Sequence, residues 1–116
     1  MFEFPQPKRI RKWETLFIIH PDRVEEKEAL LDKLKQIIQV NGGDVLKIDE
    51  WGTKKLAYSI QKKKQGYYVL MEFYGNSNLP QELESHFRID ERVMRFIIVK
   101  LEDRFKPESQ SSKGGN

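Results

Sequence analysis

Two helical patterns interrupt four strand-like runs in this chain, and that order limits the possible folds more than any other feature. Trp13–Ile19 is short, β-branched and aromatic, and His20-Pro21 closes it. Val24, Leu30, Leu31, Leu34, Ile37 and Ile38 then recur at helical spacing, with Asp22 and Glu25 placed as a capping box. Asn41-Gly42-Gly43 ends that helix. Val45–Trp51 reads as a strand, Gly52 as a kink or bulge, and Leu56–Ile60 as the continuation. Gln61–Gly66 reads as a lysine-rich turn and Tyr67–Tyr74 as the returning strand. Asn78 and Pro80 open a second helix with Leu79, Leu83 and Phe87 on one face, and Val93–Leu101 is the last strand.

The order βαββαβ predicts an α+β, ferredoxin-like fold, a four-stranded antiparallel sheet with both helices on one face. Right-handed crossovers place the first and third strands at its centre. Residues 12–102 form this domain. Residues 1–11 read as a basic extended arm, and residues 103–116 as a disordered polar tail that folding does not need.

Charge is distributed unevenly. The net charge is only +3, yet residues 54–64 hold Lys54, Lys55, Lys62, Lys63 and Lys64 and no acid. Arg88, Arg92 and Arg95 form a smaller cluster, and Lys8, Arg9, Arg11 and Lys12 another. Localised positive charge of this kind suits a polyanion. The chain has no cysteine, which removes disulfides, thiolate metal sites and cysteine nucleophiles, and favours a reducing, cytoplasmic setting. No apolar run has the length of a membrane span.

Catalytic patterns are missing. His20 and His86 have no partners at metal-ligand spacing, and Asp49 and Glu50, adjacent on a strand, point to opposite faces. No phosphate-binding glycine loop and no nucleophile elbow occur. The expectation is a non-enzyme without cofactor or metal. The RNA recognition motif shares the element order, but Gln65-Gly66-Tyr67-Tyr68-Val69 lacks its leading basic residue, small residue and second stacking aromatic.

The stretch Gly52-Thr53-Lys54-Lys55-Leu56-Ala57-Tyr58-Ser59-Ile60 resembles the signature of the bacterial ribosomal small-subunit protein six family. Trp13–Pro21, Asn41-Gly42-Gly43, Gly66–Met71 and Arg88–Phe96 agree with that family in order and spacing. Ser59 departs from it, standing where proline is frequent. The resemblance implies a structural protein of the small ribosomal subunit. It would bind the central domain of the small-subunit ribosomal RNA together with small-subunit protein eighteen. The alternative on the same fold is a small-ligand-sensing module.

On this reading Lys54, Lys55 and Lys62–Lys64 meet phosphates, with Arg88, Arg92 and Arg95 second in rank. Helices cover one sheet face, and Thr15, Phe17, Ile19, Val69, Met71, Phe73, Phe96 and Ile98 are assigned to it, although both sets are apolar and alternation alone leaves the reverse orientation open. Leu16, Ile18, Tyr68, Leu70, Ile97 and Val99 are left on the opposite face as an apolar patch for a protein partner.

Overall fold

The computed structural model describes residues 9–106. Strand β1 is Arg11–Ile19, helix α1 Lys27–Val40, strand β2 Asp44–Ile60, strand β3 Lys63–Gly75, helix α2 Leu79–Ile89 and strand β4 Val93–Glu102. The strands lie in the order β2-β3-β1-β4, all neighbours antiparallel, so the two central strands are those expected.

The alternation fixes which side chains enter the core. Trp13, Thr15, Phe17 and Ile19 of β1 and Val69, Met71 and Phe73 of β3 are buried against Leu30, Leu31, Leu34 and Ile38 of α1 and Leu79, Leu83 and Phe87 of α2. Burying each large apolar side chain contributes roughly 1.5–3 kcal/mol. Phe87 joins the layers, its ring 5.3 Å from Phe17 and 4.9 Å from Phe96. Thr15, the one buried polar residue of this core, donates its hydroxyl to the Ile97 carbonyl at 2.7 Å.

Four details differ from expectation. The first helix does not start at Asp22. Pro21–Glu26 form a 3-10 turn, capped by the His20 ring, whose Nδ1 accepts from the Asp22 backbone N–H at 3.1 Å. Pro21 supplies the φ of a first turn, His20 takes the capping role, and the Asp22 carboxylate turns to Lys63 at 2.9 Å instead. The turn expected over Gln61–Gly66 is only Gln61-Lys62, with φ of 51° and 65°. A two-residue hairpin matches the strand twist through such positive φ values, even in residues that adopt them reluctantly.

The other two concern strand irregularity and the chain end. Gly52 sits in a β-bulge with φ +88°, as the sequence suggested, but β2 is also irregular between Val45 and Lys47, and a larger irregularity follows Gly52. Between the pairs Lys55–Gln65 and Ile60–Lys63, β2 advances five residues while β3 advances two. The ordered chain also runs past residue 102. Phe105 is 6% exposed, its ring 5.4 Å from Tyr74, and its N–H donates to the Ile10 carbonyl at 2.7 Å. Asp103 accepts from Arg9 and Arg11 at 3.1 Å each. One aromatic in a polar segment is enough to fold those residues back. The rest of the expected arm and tail, residues 1–8 and 107–116, lies outside the described residues.

Candidate nucleic-acid and protein interfaces

The β2–β3 hairpin is a two-stranded projection whose arms place the lysines in register. Lys54 lies opposite Gly66 and Lys55 opposite Gln65, and Lys62 occupies the turn. Lys54, Lys55, Lys62 and Lys64 are exposed, and none has an acidic partner within 4 Å among the described residues. Lys63 differs, because its ammonium pairs with Asp22 and holds that carboxyl below its ordinary range. Four of the five lysines thus leave their charge available to solvent or ligand.

The arginines divide further. Arg92 donates to Asp90 through Nε at 2.8 Å and Nη2 at 2.7 Å, and its own backbone N–H adds a third bond to the same carboxylate. Those bonds, with a contribution from His86, hold Asp90 down at about 2. His86 Nε2 lies 2.8 Å from Asp90 Oδ2, so this histidine belongs to the same cluster and not to a metal site. Arg88 pairs with Glu84 and lies over the Phe96 ring at 5.7 Å. Arg95 is exposed, stands opposite Ile18, and has no acidic partner within 4 Å among the described residues.

Asp49 and Glu50 do occupy opposite faces. Asp49 lies across from Leu70 on the open face, while Glu50 turns toward α1 and binds Lys27 at 2.6 Å. Lys27 and Tyr67 both donate to Glu50 and hold its carboxyl below the ordinary value, and the Lys27 ammonium is raised in return. Tyr67 is therefore committed to a structural contact on the helix side.

The open face carries the six apolar residues assigned to it from the sequence. Leu16 faces Leu70 on one side and Ile97 on the other, and Ile18 faces Tyr68. Leu16, Ile18, Tyr68 and Leu70 are half-buried, while Ile97 and Val99 are 59% and 46% exposed. Sequence reasoning missed two aromatics here. Trp51 stacks on Tyr68 with ring centroids 6.2 Å apart and planes at 10°, and Tyr58 is 69% exposed. Period-two counting cannot orient either one, because each lies beside an irregularity of β2.

A polar pocket of about 370 Å³ lies between His20, Asp22, Arg23, Gln61 and Glu91, at the end of β1. A small-ligand sensor would want free polar groups in such a place, but the Asp22 carboxylate already accepts from Lys63 and the Arg23 guanidinium already donates to Glu26. Among the described residues, no three histidine or acidic side chains gather at a metal-binding spacing, and no helix is long and apolar enough to cross a membrane.

A split β-α-β sheet with one face covered by helices, one apolar face open and one cationic hairpin defines a ferredoxin-like α+β domain. Comparison with known proteins gives the particular family. Residues 12–100 match the family described as Ribosomal protein S6. The small ribosomal subunit protein bS6 of Syntrophobacter fumaroxidans is 50% identical over 105 residues, which cover 90% of this chain and 71% of that one. The protein of the same name from Caldanaerobacter subterraneus is 42% identical over 95 residues, 81% of this chain and all of the relative. The crystal structure of 30S ribosomal protein S6 from Thermotoga maritima superposes with a TM-score of 0.72 at 31% identity, covering 93% of this chain and 100% of that one. The chain belongs to the ribosomal protein S6 family. It is a component of the small ribosomal subunit in the cytoplasm, a structural protein of translation and not an enzyme.

Proposed function

We propose that this chain binds the central domain of the small-subunit ribosomal RNA through the cationic hairpin, and small-subunit protein eighteen through the open sheet face. The observation that carries this reading is the free charge of Lys54, Lys55, Lys62 and Lys64, exposed on one projection without acidic neighbours among the described residues. Releasing condensed counterions from phosphates is the main source of affinity for such a group, and flexible lysines suit backbone contacts. Arg95 stands on the open face beside the hairpin, whereas Arg88 lies on the helix side, paired with Glu84, and contributes less. Lys63 and Arg92 contribute least, since their charges are already bound to Asp22 and Asp90.

The open face supports the protein half of the proposal. The apolar patch centred on Leu16, Leu70, Ile97 and Val99, with Ile18 and Tyr68 at its hairpin end where it meets the RNA-binding arm, loses free energy in water and gains it under a partner. Tagged chain recovered from cells tests both halves. Central-domain RNA and protein eighteen should copurify, with the RNA signal abolished by ribonuclease. Recovery of neither would overturn the proposal, and recovery of small subunits unaffected by hairpin neutralisation would overturn the role of the lysines.

A further inference from the structure

The last irregularity of β2 builds a pocket. Because β2 advances five residues between Lys55 and Ile60 while β3 advances two, Leu56–Ser59 cannot lie flat in the ladder. They bend toward the open face and border an open pocket of about 200 Å³ with Ile18 of β1, Tyr68 of β3 and Arg95 of β4. Leu56, Tyr58 and Ile60 line the β2 side. Gly66 makes the floor possible. A Cβ there would fall 2.2 Å from Ile18 Cγ2, so glycine lets the Ile18 side chain sink against the β3 backbone and leaves room above it.

We propose that this pocket takes one unpaired nucleobase of the bound RNA, an inference that rests on the RNA-binding reading above. The walls are apolar and aromatic, and the volume suits a single planar ring system. Tyr68 is backed by Trp51, stacked on it at 6.2 Å, so its ring is presented in a fixed plane. Tyr58, mostly exposed, offers a second ring from β2. One cation lines the pocket: Arg95, directly across the ladder from Ile18. Lys54, opposite Gly66, stands on the same sheet face outside the lining. No acid lines the pocket, and neither cation has an acidic partner within 4 Å among the described residues.

This charge complementarity favours a nucleotide over an apolar side chain of a protein, which would leave the Arg95 guanidinium unused. Aromatic platforms hold bases without regard to sequence, and the guanidinium of Arg95 can hold the attached phosphate. In this arrangement the base enters between Tyr58 and Tyr68, while the hairpin lysines track the strand on either side.

Ultraviolet cross-linking of assembled small subunits, followed by tryptic digestion, tests the assignment. A nucleotide should be attached to the peptide Leu56–Lys62, which carries Tyr58. Tyr58→Ala should weaken RNA binding about tenfold or more, with Tyr58→Phe close to the unaltered chain, since stacking and not the hydroxyl is responsible. Nucleotides on other peptides of this chain but never on Leu56–Lys62 or the Tyr68 peptide would overturn the pocket. So would a chemical cross-link from Tyr58 to a neighbouring protein in place of RNA. No nucleotide on any peptide of the chain would instead overturn the RNA-binding reading on which the pocket depends.

Discussion

Asp90 and Arg92 form a closed pair: one carboxylate accepts both a side-chain fork and the backbone N–H of the same arginine. The side chains are 5% and 19% exposed, and His86 joins them from α2. The pair ends α2 and starts β4, so its first effect is on the fold.

The Asp90 carboxyl is held down at about 2, against 3.8 ordinarily, mainly by its hydrogen bonds with Arg92. A depressed folded-state value adds stability that is complete above about pH 4 and lost as pH falls toward 2. Urea midpoints should drop through that window by the equivalent of about 1 kcal/mol from this group, after allowance for solvent screening. Asp90→Asn should be less stable at neutral pH and show a flatter acid limb. An unchanged acid limb in the variant would contradict the pairing.

Phe105 ties residues 103–106 to the domain. Its ring sits between Tyr74 and the Lys12 ammonium, 5.6 Å away. Phe105→Ala should cost about 1–3 kcal/mol, less than a central core phenylalanine. Truncation after residue 102 should lower Tm by several degrees. Equal Tm for the truncated and full chains would show that the tail only rests on the sheet.

The Gln61-Lys62 turn holds two side-chain-bearing residues at positive φ, a conformation costing about 1–2 kcal/mol each. Lys62→Gly should therefore raise stability by roughly 0.5–1 kcal/mol after the entropy of glycine is deducted. The same change removes a free lysine, so RNA affinity should fall as the urea midpoint rises. Opposite movement of the two readouts separates strain from binding.

On the open face, Ile97→Asp with Val99→Asp is a cleaner probe than changing Leu16 and Leu70. The latter two are direct cross-strand partners, and two carboxylates there would repel within the sheet itself. The β4 double variant should keep its circular dichroism spectrum and lose protein eighteen from the copurified complex. Unfolding of that variant would mean that the open face helps to hold the domain together.

The elements were legible because their punctuation is strong. Asn41-Gly42-Gly43 and Asn78-Leu79-Pro80 mark boundaries and Gly52 marks a bulge, and period-two alternation divided β1 and β3 into the two sets of side chains that occupy opposite faces, though not which set meets the helices. Legibility failed where local geometry overrides pattern. His20 displaced the expected Asp22 cap, and a tight hairpin formed on Gln61-Lys62 without the usual Asn-Gly. The site was legible in composition but not in pairing. Five lysines were visible in the sequence, while the ion pairs that occupy Lys63 and Arg92 depend on where Asp22 and Asp90 come to rest. Trp51 and Tyr58 were invisible as surface residues because a broken ladder gives them no predictable face.

The most direct test of the central claim is the salt dependence of RNA binding. The logarithm of affinity should be measured against the logarithm of salt concentration for the unaltered chain and for Lys54→Gln, Lys55→Gln, Lys62→Gln, Lys64→Gln combined. Each phosphate contact contributes roughly 0.7–0.9 to the slope, so the variant slope should be shallower by about 3, with the fold intact. Equal slopes for the two proteins would contradict the claim that this hairpin meets the phosphate backbone.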